Sequence, residues 1–349
     1  MKKFLLSVLV IGAFAAVVVP SLAKDVRLPA VGIGADRVVE LQRDDQYWEG
    51  TWPWTVDSVY NATNLTGVTA LGLLEAYQDT KNHAYLNAAV RAADFIMIHL
   101  GSHATGLLHY PRLTAPDVVF LHRLSQLTGD PVYSGRATLE WENILVSYPH
   151  AVDLDNRFRA INRPSTWDIA FFLEAAYLSN DIEWANDAAE ILASTSDDFY
   201  YGETGWYALN VGASIRALVD CGYAQDYHGA VVYLLDELVG LSDKDNGIDG
   251  WIQDTAYGVL AFRSVGGAGH QYANELARWI ARNQDQSGGW IEDGDEYPEI
   301  DGEAVRALAS TIGKNVAVQG WDIRKNIKSS WRKTVKEGEG KIVKPFDVE

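Results

Sequence analysis

DIAFFLEAAYL, from Asp168 to Leu178, opens on a carboxylate and runs straight into an apolar helical pattern. Five other stretches repeat that order: NLTGVTALGLLEAY from Asn64, DVVFLHRLSQL from Asp117, NVGASIRALV from Asn210, DTAYGVLAF from Asp254 and DGEAVRALAS from Asp301. Successive starts lie 53, 51, 42, 44 and 47 residues apart. Each gap holds a second, more polar helical stretch, at 84–100, 133–145, 182–193, 227–238 and 271–283. A recurring helix–turn–helix unit of this length marks a repeat array. Six such hairpins close an all-α (α/α)6 toroid, with the apolar Ala-, Gly- and Leu-rich helices inside and the amphipathic ones outside. The sixth outer helix is expected from the tail, where Ile323, Ile327, Trp331 and Val335 recur at helical spacing. The same basic helix could alternatively lie on a membrane surface.

The 349-residue chain begins MKKFLLSVLVIGAFAAVVVPSLAK, two lysines and a 16-residue apolar run from Phe4 to Val19 before a Ser-Leu-Ala exit. This reads as a secretory signal over 1–23, cleaved near Ala23 or retained as an anchor, and it predicts a secreted or extracytoplasmic protein. Residues 24–60 lack a helical pattern and read as an irregular N-terminal arm, with YWEGTWPWTVDSVY gathering Trp48, Trp52 and Trp54 around Pro53. The toroid domain is expected over 61–335, and 336–349 reads as a polar tail.

The formal charge is −18, and loss of Lys2 and Lys3 with the signal makes it −20. Such a surface repels nucleic acid and anionic membrane, so neither is expected as a partner. Residues 313–349 run against this, with nine Lys/Arg to five Asp/Glu. Cys221 is the only cysteine, which excludes an intramolecular disulfide. Its helix-end setting suits a small buried thiol.

Gly precedes Trp in three inter-unit turns, YGETGWYALN, DNGIDGWIQD and QSGGWIEDG. Trp206, Trp251 and Trp290 are expected to pack against the next helix as staples. In the last of these turns, Gln284, Gly288 and Trp290 form a Q-x3-G-x-W arrangement, and WIQDTAYGVLAF from Trp251 is similar to a D-x-D-D-T-A segment leading into an apolar helix. On these residues the chain resembles the terpenoid-cyclase and protein-prenyltransferase toroid superfamily. The rhythm extends over about 64–312, and the motifs cover only the two segments. In the cyclase motif the middle aspartic acid protonates an alkene; here that position is Gln253, and an amide is no strong acid. Cys221 and the last unit do not match the zinc ligands of the prenyltransferases, so no metal is assigned. Six-hairpin toroids also serve as extracytoplasmic glycosidases and polysaccharide lyases, to which a secreted, acidic, Trp-rich chain is similar in setting and composition.

The six Asn/Asp starts are expected to be N-caps, and a carboxylate accepting backbone N–H bonds is expected to stay ionised. Inner-helix starts converge on one mouth, where their N–H groups favour an oxygen-rich or anionic ligand. The candidate catalytic residues are Glu303, Tyr257 and Asp57. Glu303 would lie in a first helical turn, Asp57 follows the aromatic arm, and Tyr257 could serve a lyase as base. Candidate substrate contacts are Trp52, Trp54 and Trp167, whose faces could stack on sugar rings, with Asp168, Asp254, Arg123 and Arg216. Arg123, Glu174 and Arg216 fall at equal depth on three successive inner helices, which puts them either in the lumen or in a buried ion-pair network between the rings. The acidic turns 242–250 and 291–296 leave calcium possible, although the EF-hand spacing fails. Asn61 and Asn64 head glycosylation sequons. The function expected is binding and processing of a carbohydrate, by a glycoside hydrolase or polysaccharide lyase. The alternative is a non-catalytic secreted or envelope module derived from a cyclase-like toroid.

Overall fold

The computed structural model describes residues 25–45, 48–59, 65–98, 115–147, 165–194 and 207–312. Among the described residues there are twelve helices: α1 (Arg27–Leu41), α2 (Thr66–Thr80), α3 (His83–Ile98), α4 (Ala115–Thr128), α5 (Pro131–Ser147), α6 (Thr166–Leu178), α7 (Ile182–Ala193), α8 (Tyr207–Asp220), α9 (His228–Leu241), α10 (Ile252–Val265), α11 (Gly269–Arg282) and α12 (Pro298–Ile312). Two short antiparallel hairpins complete them, β1 (Ser242–Asp243) with β2 (Gly247–Ile248) and β3 (Ile291–Glu292) with β4 (Asp295–Glu296).

The even-numbered helices pack each on the next, and α12 returns to α2, which closes an inner ring of six. Each inner helix from α2 to α10 is followed by an outer one leaning on it, so all inner helices run the same way and their N-termini share one mouth. Burial follows this layout. Every residue of α8 from Ala208 to Val219 is buried, whereas outer α7 buries only one stripe, Trp184, Ala185, Ala188, Ala189 and Leu192. The ring closes backbone to backbone: Gly72 on α2 faces Gly302 on α12 with no room for a side chain at either.

The sixth outer place is filled from the other end of the chain than expected. Residues 313–349 lie outside the described set, and α1 packs on α12 in that place. The arm is therefore helical over Arg27–Leu41. Pro29 falls in the first turn, where its missing N–H costs nothing. Gly32 and Gly34 dilute the helical signal, since glycine lowers helix propensity by about 1 kcal/mol. Gly34 has a packing reason: a Cβ there would sit 2.8 Å from the Trp290 indole. Trp290 is fully buried, and its Nε1 donates to the Ile280 carbonyl at 2.9 Å. Gln284 Nε2 donates to the carbonyls of Ala30, at 3.0 Å, and Gly288, at 2.8 Å. The Gln284–Gly288–Trp290 motif thus clamps α1 into the ring.

The Asn/Asp starts prove to be cross-ties rather than caps of their own helices. Each of the five described ones lies third or fourth within its helix. Asp117 on α4 accepts from Gly67 N on α2 at 2.9 Å, Asn210 on α8 from Trp167 N on α6 at 3.0 Å, and Asp254 on α10 from Leu209 N on α8 at 2.5 Å. Each satisfies an otherwise unpaired N–H in the first turn of the preceding inner helix. Asp168 instead forms a capping box with Ser165, and Asp301 accepts from Trp290 N at 2.7 Å. Asn64 lies outside the described residues, as do Asn61, Trp206 and the 1–23 segment.

Candidate active site

Glu303, Tyr257 and Gln253 meet at the mouth end of the ring. Glu303 lies in the second turn of α12, beyond the first turn expected for it, and is 1% exposed. Its carboxylate accepts from the Tyr257 hydroxyl at 2.6 Å and from Gln253 Nε2 at 2.9 Å, both on α10. Burial pushes Glu303 up to about 7, against the two hydrogen bonds that favour its charged form. A carboxyl near neutrality can give or take a proton at physiological pH.

Gln253 connects a second carboxylate to the first. Its backbone N donates to Glu292 at 3.0 Å, and Ile252 N donates to the same oxygen at 2.7 Å. Glu292, on the β3–β4 hairpin, therefore caps α10 while its burial raises its pKa. The amide that stands where the cyclase motif has its acid is thus flanked by Glu292 and Glu303.

Tyr257 corrects one expectation. Its phenol is fully buried, donates a hydrogen bond to Glu303, and is pushed well above its ordinary value by burial and by the Glu303 charge. In this arrangement it is a hydrogen-bond donor to Glu303, and a phenol so placed and so raised does not favour the base role expected of it. The expectation that the ring carboxylates stay ionised also fails for two of them. Burial outweighs the backbone hydrogen bond in both: it raises Asp254 to about 7 and Asp301 well above the ordinary carboxylate range. A single N–H bond does not replace the lost hydration of a buried carboxylate.

The aromatic candidates separate. Trp167 on α6 lies across from Tyr257 on α10, with ring centroids 6.5 Å apart, although α8 stands between those helices in the ring. Only the axis allows that approach. Trp167 is half-buried, and its indole N–H has no hydrogen-bond partner among the described residues. Trp54 is 46% exposed and sits edge-on to Tyr297 at 6.1 Å, just before α12. Trp52 is buried under α1 with its N–H on the Val38 carbonyl at 2.8 Å, so its faces are taken by the protein. Asp57 lies in the arm and is not brought to Glu303 by any hydrogen bond. Asp168 and Asp254 are engaged in ties to helix starts.

Deeper along the axis, Arg216 on α8 is ion-paired with Glu174 on α6, and both are buried. The Arg216 guanidinium also lies 5.3 Å from the centre of the Phe171 ring. Arg123 is half-buried at the same depth on α4. These charges face the lumen: Arg306 on α12 lies within electrostatic reach of Glu174 on α6, the helix opposite it. Counting six residues on from each Asn/Asp start misses two of these charges: from Asp301, fourth in α12, it lands on Ala307, one past Arg306, and from Asn64, which precedes α2, it lands on Ala70, five short of Glu75. Glu292 was legible only as part of an acidic turn.

Cys221 is buried and free, and burial raises its thiol well above the ordinary range, which suits packing. The acidic turn 242–250 is a hairpin in which Asp243 accepts from Asp245 N at 2.7 Å. Among the described residues, no group of three or more His, Cys, Asp or Glu side chains converges as a metal site, and no helix is long and apolar enough to cross a membrane.

No family model and no curated protein matches this sequence. Solved structures do resemble it. An unsaturated glucuronyl hydrolase specific for heparin aligns with a TM-score of 0.56 and 11% identity, covering 82% of this chain and 97% of that one. The GH76A α-1,6-mannanase from Salegentibacter sp. HEL1_6 aligns at 0.54 and 14% identity, covering 82% and 98%. The Lin0763 protein from Listeria innocua aligns at 0.56 and 14% identity, covering 82% and 96%. A cyclase or prenyltransferase is not among these neighbours. At such identities the likeness establishes the fold, an (α/α)6 toroid of six helical hairpins.

Proposed function

We propose that the chain is an extracytoplasmic carbohydrate-processing toroid, with the glycan bound at the mouth formed by the inner-helix N-termini. The observation that carries this reading is Glu303, a buried carboxyl poised at about 7 and held by Tyr257 and Gln253, with the Trp167 ring 6.5 Å from that of Tyr257. Glycoside cleavage needs one protonated carboxyl and one ionised carboxylate on either side of the scissile bond. Glu303 supplies the proton to the leaving oxygen, and Glu292, held by two backbone N–H groups, is the anionic partner. Trp167 offers a ring face and a donor to the sugar, and Trp54 an exposed face further out. Neighbours of the same fold, an α-1,6-mannanase and an unsaturated glucuronyl hydrolase specific for heparin, support the substrate class in kind.

The test is a glycan-array binding screen on the full mature chain, followed by turnover assays on the hits with Glu303→Gln. Turnover that falls at least about a hundredfold in that variant, with binding retained, supports general-acid catalysis. Specific binding without turnover in either protein replaces the hydrolase with a non-catalytic glycan-binding module. No glycan binding at all refutes the carbohydrate reading.

A further inference from the structure

Five of the six inner helices place a charged residue at one depth along the axis, in their ninth or tenth position: Glu75, Arg123, Glu174, Arg216 and Arg306. Read around the ring, the signs alternate from α2 to α8. At the same position α10 carries Leu260, so Arg216 and Arg306 face a gap where an anion would continue the alternation. Arg306 is 7% exposed, and it makes no hydrogen bond or ion pair with any described residue. A buried cation without a counter-charge in contact is costly, and the cost is relieved by a ligand that brings one. The internal candidates are engaged or out of contact. Glu174 is paired with Arg216, and the Tyr257 hydroxyl, one turn above Leu260, is given to Glu303. Glu75 on neighbouring α2 lies within electrostatic reach of Arg306, and Asp220, one turn below Arg216, within reach of both arginines, but neither forms an ion pair with them.

We infer that the carboxylate of an acidic sugar completes this ring, lying between Arg216 and Arg306 below Tyr257. A single negative charge restores the alternation, and the planar guanidinium fork of Arg306 matches a carboxylate with two parallel N–H donors. The sugar ring then extends toward the mouth, against Trp167 and Glu303. This deepens the carbohydrate reading and rests on it: the substrate class is a uronic-acid-containing glycan. The acidic exterior does not forbid such a ligand, because charges beyond about 8 Å are screened at physiological salt while the buried arginine is not.

The experiment is calorimetric titration of the full mature chain with glucuronate, glucose and acetate, repeated on Arg306→Gln and Leu260→Glu. Glucuronate is expected to bind at least about tenfold more tightly than glucose, with Arg306→Gln removing that advantage and leaving glucose unchanged. Leu260→Glu supplies the missing anion from within, so it should abolish glucuronate binding and raise the melting temperature. Equal affinity for glucose and glucuronate, or glucuronate binding unchanged in Arg306→Gln, overturns the acidic-sugar site and leaves a neutral-glycan enzyme standing. Arg306-dependent binding of acetate with no sugar binding keeps the anion site and sinks the carbohydrate reading. Should Arg306→Gln fail to fold, undiminished glucuronate binding to a folded Leu260→Glu protein overturns the proposal on its own.

Discussion

Replacing Glu303 by Gln should flatten the pH dependence of stability in a defined window. Glu303 is 1% exposed, and its pKa rises from the ordinary glutamate value of 4.5 to about 7. The folded chain therefore holds a proton that the unfolded chain releases. That proton linkage stabilises fully below pH 4.5 and is lost as the pH climbs through about 7. Between pH 5 and pH 8 the loss amounts to about 2.5 kcal/mol for this one group, from about 1.4 kcal/mol per unit. The substituted amide keeps an oxygen for Tyr257 and Gln253 but cannot titrate. Urea unfolding of both proteins at pH 5 and pH 8 measures the effect as a double difference, which cancels the parallel contribution of Asp254. The variant should gain about 2.5 kcal/mol on the parent across that interval. A double difference within about 0.5 kcal/mol of zero would mean that Glu303 is hydrated in solution and that the proton-poised site does not exist.

Two further outcomes follow from the same geometry. Trp290→Ala empties the clamp that holds α1, so it should destabilise by about 3–5 kcal/mol and expose 25–59 to limited proteolysis before the rest of the ring; simultaneous cleavage throughout would show that α1 is not a separable closure. Tyr257→Phe removes a hydrogen bond that favours the charged form of Glu303. If Glu303 acts as the acid, the alkaline limb of the activity profile should move upward by about one pH unit, and an unmoved or lowered limb would separate the two residues.

The rhythm of the sequence was legible because it is a physical contact repeated around a ring. Asp117, Asn210 and Asp254 recur since each ties its own helix to the one before it. Their role was misread because a cap and a cross-tie present the same residue types at almost the same place. α1 was hidden for a different reason: Pro29, Gly32 and Gly34 erase its periodicity, and the space left at Gly34 makes sense only with the Trp290 ring in view. Glu303 and Tyr257 could be named from their places on inner helices, but not the bond between them, which turned Tyr257 from base to donor. Glu292 and Arg306 were out of reach of a spacing argument. One depends on how a hairpin folds over a helix start, the other on a register that only the closed ring defines.

The seam between α1 and α12 sets a timetable for the chain. The Arg27 guanidinium reaches the Thr311 carbonyl at 3.4 Å across 284 residues of sequence. The first described helix to be synthesised must therefore wait for the last described one. Five hairpins can stack on their neighbours as they are made, each through local contacts that form quickly. The sixth has no inner half until α12 arrives, and during that interval α1 rests on α2 and α3 while the face that packs on α12 stays uncovered. An unfinished or truncated chain is thus an open arc with two sticky ends, and completing residues 298–312 is what turns the arc into a ring.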